Sequence, residues 1–222
     1  MEDAPALVRE YADQAVAYVK RTLGVALEYD SDTLPLLDHY LRDADITAGG
    51  DEGKSATMQL VIATAGAYFG ETVRRVLGGR WELPGASPDD PDRDAVWRVI
   101  LPTGLSFAPA GMVATAIAQA DLPHVDSELD APIRMRPYVQ RALERMGEIT
   151  VEEYYSLCGR LDTIEHIHEV LVAVAAQLLG DAGDPDDLDP TDEPLLADPD
   201  ADPEPTPEPD DPIADDPSGP VN

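Results

Sequence analysis

TMQLVIATAGAYFGETVRRVLGGRWEL, residues 57–83, decides how this chain folds. Val61, Ala65, Phe69, Val73 and Leu77 recur at helical spacing, and further apolar residues fill much of the remaining circumference. That is the pattern of a helix covered on several sides, predicted here over about 56–77. A glycine inside a helix costs about 1 kcal/mol relative to alanine. Gly66 and Gly70 therefore predict a close approach by another element. Gly78 and Gly79 suit the left-handed position after a helix and end it. The chain then turns at once into a predicted strand over 80–83, which carries Trp81.

Working outward, Leu7, Tyr11, Ala15, Val19 and Leu23 give an amphipathic helix over 6–23, stopped at Gly24. Residues 25–29 read as an extended linker. Asp32 or Thr33 is expected to cap a second helix, with Pro35 in its first turn and Leu34, Leu37, Tyr40 and Leu41 on its apolar face. Residues 47–53 form a glycine-rich loop, and 84–94 a polar, turn-rich one. The strongest strand pattern is 95–101, with Val96, Trp97, Val99 and Ile100. Pro102-Thr103-Gly104 signals a turn, and 105–108 can return antiparallel. Helices follow over about 111–120, 137–147 and 151–179. The strands do not alternate with helices, which disfavours a doubly wound nucleotide fold. The predicted class is α+β: five to six helices packed on a small antiparallel sheet of about three strands.

Charge divides the chain. It holds 45 acids and 15 bases in 222 residues, a formal net of −30. Residues 181–222 carry sixteen of the acids, eleven of the 21 prolines and no Lys or Arg. Residues 1–180 keep 29 acids against all 15 bases, a net of −14. The sequence thus predicts one domain over 1–180 and a disordered, acidic, proline-rich tail over 181–222. Phosphate contacts need clustered Lys and Arg, so direct nucleic-acid binding is disfavoured, while imitation of nucleic acid and binding of a basic protein partner both stay open. Cys158 stands alone, which leaves no intrachain disulfide. The first residues lack a basic and apolar leader, and no apolar run is long enough to span a bilayer. The expected location is the cytoplasm. Arg outnumbers Lys by 13 to 2, a bias associated with GC-rich bacterial genomes.

Several stretches could carry chemistry. Residues 48–55, AGGDEGKS, fit a relaxed phosphate loop in which Lys54 would reach phosphate and Ser55 a magnesium ion. A helix pattern precedes them where a strand is required, and Asp51 and Glu52 would repel phosphate. Glu165 and His168 have the i, i+3 spacing used in di-metal helical bundles, and Glu71 or Glu144 could add acids. A second Glu-x-x-His is absent, and His166, two residues from His168, points to another face. His168 also fits a hydrogen-bonded histidine beside the stripe Leu161, Ile164 and Leu171. Asp38-His39, His124 and Ser106 lack the strained turn of a hydrolytic nucleophile. Cys158 shares a face with Tyr154 and Leu161 and reads as an inert thiol. Glu71 has Arg74 and Arg75 three and four residues on, the spacing of intrahelical ion pairs. Trp81 and Trp97 read as packing between sheet and helices. No catalytic residue and no cofactor is expected.

Tyr68, Gly70 and Glu71, followed by Gly78, Gly79 and Trp81, resemble the signature of a loose group of small uncharacterised bacterial proteins. That signature is an apolar helix with Tyr-x-Gly-Glu, a Gly-Gly stop and a tryptophan-bearing strand. Leu27-Glu28-Tyr29 and the stretch from Thr33 to Asp38 are similar to the group's linker and second helix. The resemblance covers about 20–120. It implies a structural scaffold and, for some members, an immunity or accessory protein that binds a partner. It transfers no catalytic residue.

Overall fold

Why the long helix predicted over about 56–77 ends up in the middle is visible from what packs on it. The computed structural model describes residues 3–43, 51–83 and 97–181, the side chains of 51–55 and 179–181 excepted. Helix α1, Ala6–Leu23, buries Val8, Ala12, Ala15 and Val19 along one stripe. Gly24 ends it at φ 75°, and its N–H donates to Lys20 O at 2.9 Å. A 3-10 turn, Ser31–Thr33, leads into α2, Leu34–Asp43. Helix α3, Asp51–Leu77, is buried at every position from 64 to 74. It packs most extensively on α1, and next on α4, Pro109–Ala118.

Three short strands make up the sheet: β1, Arg80–Glu82, β2, Arg98–Ile100, and β3, Ser106–Phe107. They form an antiparallel meander in the order β1-β2-β3. Trp81 pairs with Val99 and Val99 with Phe107, so one row crosses the whole sheet. Residues in register share a face, and this row meets α3, where Phe69 and Phe107 rings lie 6.1 Å apart. A side chain of this size, once buried, contributes about 1.5–3 kcal/mol. Helix α5, Arg136–Arg145, α6, Val151–Tyr155, and α7, Leu157–Asp181, complete the fold. The predicted α+β class is what the structure shows, with seven α-helices among the described residues.

Two details differ from the sequence reading. The residues read as one helix over 151–179 form two. Ser156 is extended, at φ −75° and ψ 149°, because it closes one helix and caps the next. Its hydroxyl donates to Glu153 O and accepts from Gly159 N–H. Asp38, on α2, accepts from Leu157 N–H at 2.8 Å and Cys158 N–H at 3.1 Å, so α7 takes its N-terminal charge partner from another helix. A 3-10 turn that the sequence reading did not separate from α2 precedes it, and Asp30 caps that turn: its carboxylate accepts from Thr33 N–H at 2.9 Å.

The described residues belong to one compact unit, Met1–Ala182. The tail expected from residue 181 lies outside them, apart from Asp181 at the end of α7, as does the whole of the loop expected over 84–94. Among the described residues no helix is long and apolar enough to cross a membrane.

The glycines of α3 admit the close approach expected of them. A Cβ on Gly66 would stand 2.8 Å from Ala110 Cα, and one on Gly70 would meet Pro109 Cγ at 2.7 Å and run into the Trp81 ring. At an open helical site Gly70→Ala would stabilise by about 1 kcal/mol. Here overpacking is expected to win, and chemical denaturation should show Gly70→Ala destabilising the fold by about 1–3 kcal/mol.

Candidate functional site

Glu71 accepts four hydrogen bonds from three side chains. It lies on α3 with 1% of its surface exposed, facing β1. Arg74 Nε donates to Oε2 at 2.8 Å and Arg74 Nη2 to Oε1 at 2.9 Å. Arg75 Nε donates to Oε1 at 2.8 Å and Trp81 Nε1 to Oε2 at 3.1 Å. Each oxygen therefore accepts two hydrogen bonds, which fills a carboxylate's ordinary capacity. Burial raises the pKa of Glu71, but the bonds from Arg74, Arg75 and Trp81 outweigh it and hold the carboxyl below the usual glutamate range.

The other residues of the signature extend this hub. The Arg75 guanidinium lies 3.9 Å over the Tyr29 ring, and Tyr29 and Tyr68 rings are 4.7 Å apart. Tyr29 N–H donates to the Tyr68 hydroxyl at 2.9 Å, and that hydroxyl lies 3.1 Å from Thr33 Oγ1. Trp81 meets Trp97 edge to face at 6.5 Å, and Trp97 packs 5.6 Å from Tyr11. Gly78 and Gly79 have φ 76° and 122°, and a Cβ on Gly79 would stand 2.6 Å from Ile100 O. Tyr68, Gly70, Glu71, Gly78, Gly79, Trp81 and Trp97 thus form one cluster joining α3 to the linker and the sheet. Its central carboxylate has no lone pair left to act as base or ligand.

The remaining sequence candidates lie apart. Glu165 is half-buried on α7, and burial, with Asp162 and Glu169 nearby, raises its pKa. His168 is buried, with Nδ1 3.1 Å from Thr103 Oγ1. Among the described residues no group of three or more His, Cys, Asp or Glu is placed to hold a metal ion. Glu71 is committed to its arginines, and Glu144 accepts from Gln140 on the surface of α5. Of the 48–55 stretch, 48–50 and the side chains of Lys54 and Ser55 lie outside the described residues. The backbone from Asp51 is already α3, and the element described before it is the helix α2. His39 faces Asp43 at 3.3 Å on the surface, and His124 is exposed. Ser106 Oγ accepts from Arg98 Nη2 at 3.3 Å within the sheet. Burial, and Asp38 beside it, push the Cys158 thiol up to about 12, which keeps it protonated. Cys158 and Leu161 share a face, but Tyr154 does not join them, because the break at Ser156 leaves it exposed on α6.

The sequence reading missed a cleft of about 680 Å3 between α5, α7 and the segment joining α4 to α5. Leu122, Val125, Leu129, Val139, Leu143 and Ile164 give it apolar walls. Arg160 of α7, 9% exposed, lines it too. Arg160 Nη2 donates to Thr115 Oγ1 at 2.9 Å and Nη1 to Ser127 O at 3.2 Å. Its Nε is buried with no hydrogen-bond partner among the described residues. Its Cζ lies 5.4 Å from the Tyr154 ring centroid and 5.9 Å from that of Tyr155. No carboxylate of the described residues forms a salt bridge with it. Burial lowers its pKa from the usual arginine value, against a weaker opposite pull from Tyr154, Tyr155 and Asp121. A signal was present in the sequence. Residues 156, 157, 163 and 164 are Ser, Leu, Thr and Ile, so no acid lies one helical turn away on either side.

Comparisons with protein-family models, with curated proteins and with solved structures return no match.

Removing the Glu71 charge should expose its structural role. Glu71→Gln breaks a buried ion pair by removing its carboxylate charge and is expected to cost roughly 3 kcal/mol in urea unfolding at neutral pH. A carboxyl whose native pKa is depressed stabilises above its unfolded pKa and loses that contribution as pH falls through the native one. The gap between native protein and Glu71→Gln should therefore shrink as pH drops below the ordinary glutamate range.

Proposed function

We propose that this chain is an acidic, non-enzymatic, cytoplasmic interaction protein of the immunity or accessory kind, which recognises a basic protein partner. The observation that carries the reading is the corner between α5 and α6. Ten large apolar side chains are exposed among the described residues, and four of them, Leu143, Ile149, Val151 and Tyr154, fall in residues 143–154. Clustered exposed apolar residues mark interaction surfaces more often than scattered ones do. The same twelve residues hold four acids, Glu144, Glu148, Glu152 and Glu153, against the single base Arg145.

An exposed apolar segment interspersed with acids suits a partner segment of apolar and basic residues. Charge would steer the encounter and exclude acidic competitors, while Ile149 and Val151 would supply contact area. The net charge of −30 acts in the same direction over longer distances. The Tyr68-to-Trp81 signature resembles a loose group of small uncharacterised bacterial proteins, and the immunity or accessory character of some of them supports the same class.

A photo-cross-linking residue in place of Leu143, used in lysate of the source cells, tests this. The expected product is a conjugate with a basic protein. It should fade at about 1 M salt, where charges are screened within about 3 Å, and in the variant Ile149→Ser with Val151→Ser. An acidic conjugate, no conjugate, or one indifferent to that variant contradicts the reading.

A further inference from the structure

The cleft beside this corner contains a buried cation with no salt-bridge partner among the described residues. Buried guanidinium groups are ordinarily paired, because desolvating an unpaired charge costs several kcal/mol. Arg160 meets only neutral acceptors, Thr115 Oγ1 and Ser127 O, and its Nε–H has none. Two tyrosine rings and two neutral hydrogen bonds hold the side chain, so its position against the cleft wall is set without a ligand.

From this we infer that the cleft binds a carboxylate with an apolar body, its carboxylate paired to Arg160 and its body against Leu122, Leu129 and Leu143. A guanidinium matches a carboxylate through paired N–H donors, and the match strengthens where water is excluded. The cleft volume, about 680 Å3, lies within the range of small-molecule sites. Asp121, Asp126 and Glu128 also line the cleft and would oppose an anion if all three were unpaired. Asp126 is paired with Arg98; Asp121 accepts from the Tyr155 hydroxyl at 3.0 Å and keeps its charge, which the Arg160 guanidinium and the apolar walls must outweigh. Glu128 stands opposite in charge to any ammonium the ligand carries.

The same chemistry can come from a free acid or from the C-terminal end of a peptide. Leu143 and Tyr154 belong to both the corner and the cleft, but this inference rests on Arg160 and not on the basic partner of the corner, and carboxylate titration tests it apart from that reading. Calorimetric titration of the full chain with hexanoate, octanoate and 4-phenylbutyrate tests it, with 4-phenylbutanamide as the uncharged control. At least one acid is expected to bind, with 4-phenylbutanamide about tenfold or more weaker than 4-phenylbutyrate. Leucyl-leucine and its C-terminal amide form the second arm: binding of the free dipeptide above the free acids points to a chain terminus, and the reverse to a small acid. Arg160→Lys keeps a positive charge but loses the planar fork, and should weaken the acids about tenfold. If no carboxylate binds, if the amides bind as well as the acids, or if Arg160→Lys folds and binds as the native chain does, the proposal is overturned. The acid–amide comparison on the native chain decides even if Arg160→Lys does not fold.

Discussion

The hydrogen bonds into the Glu71 carboxylate are what the rest of the structure depends on. An acid buried in the central helix would be untenable alone. Arg74 and Arg75, from the next turn, and Trp81, from the adjoining strand, supply four donors to its two oxygens. The indole bond fixes where β1 leaves α3, and Gly70 leaves room for the ring to lie against the helix. Arg75 carries the connection on to Tyr29, and Tyr68 carries it to the turn before α2. Helix, linker and sheet are thus tied at one point by side chains from the short stretch between Tyr68 and Trp81, together with the linker they hold.

Polar groups are buried elsewhere by a similar rule. Asp38, 8% exposed, serves as the N-terminal partner of α7, where the helix dipole and two backbone N–H groups meet its charge. Arg160 departs from that rule. It is as buried as Asp38, yet it faces two neutral acceptors and two aromatic rings. The contrast separates two regions of the protein. Around Glu71 the buried charges are matched and the residues serve the fold; around Arg160 a charge is left over at the wall of a cleft.

Much of the fold was legible because it is written in local spacing. The bounds of α1 follow from the stripe of Ala15, Val19 and Leu23 and the glycine after it. The Glu71 ion pairs follow from i+3 and i+4 spacing, and the sheet from a Gly-Gly stop and a short turn. The rest depends on groups far apart in sequence. The break at Ser156 is stabilised in part by Asp38, which lies 119 residues before Leu157, the residue whose N–H it accepts. The local part of that signal, a Thr150–Glu153 capping box followed by Ser156, was readable. The cleft is assembled from separate segments of the chain, and no periodicity reports such a meeting. Only the missing acid partner around Arg160 marked it in advance.

Hydrogen exchange at the Trp81 indole N–H, followed by nitrogen-15 NMR and assigned with Trp97→Phe, tests the central claim most directly. If the Glu71 hub holds the fold together, this proton is buried in a charge-assisted bond and should exchange only through global unfolding, as slowly as the best-protected amides of α3. Exchange approaching that of a free indole, while those amides stay protected, would show that the Trp81–Glu71 bond opens on its own and that the fold does not depend on it.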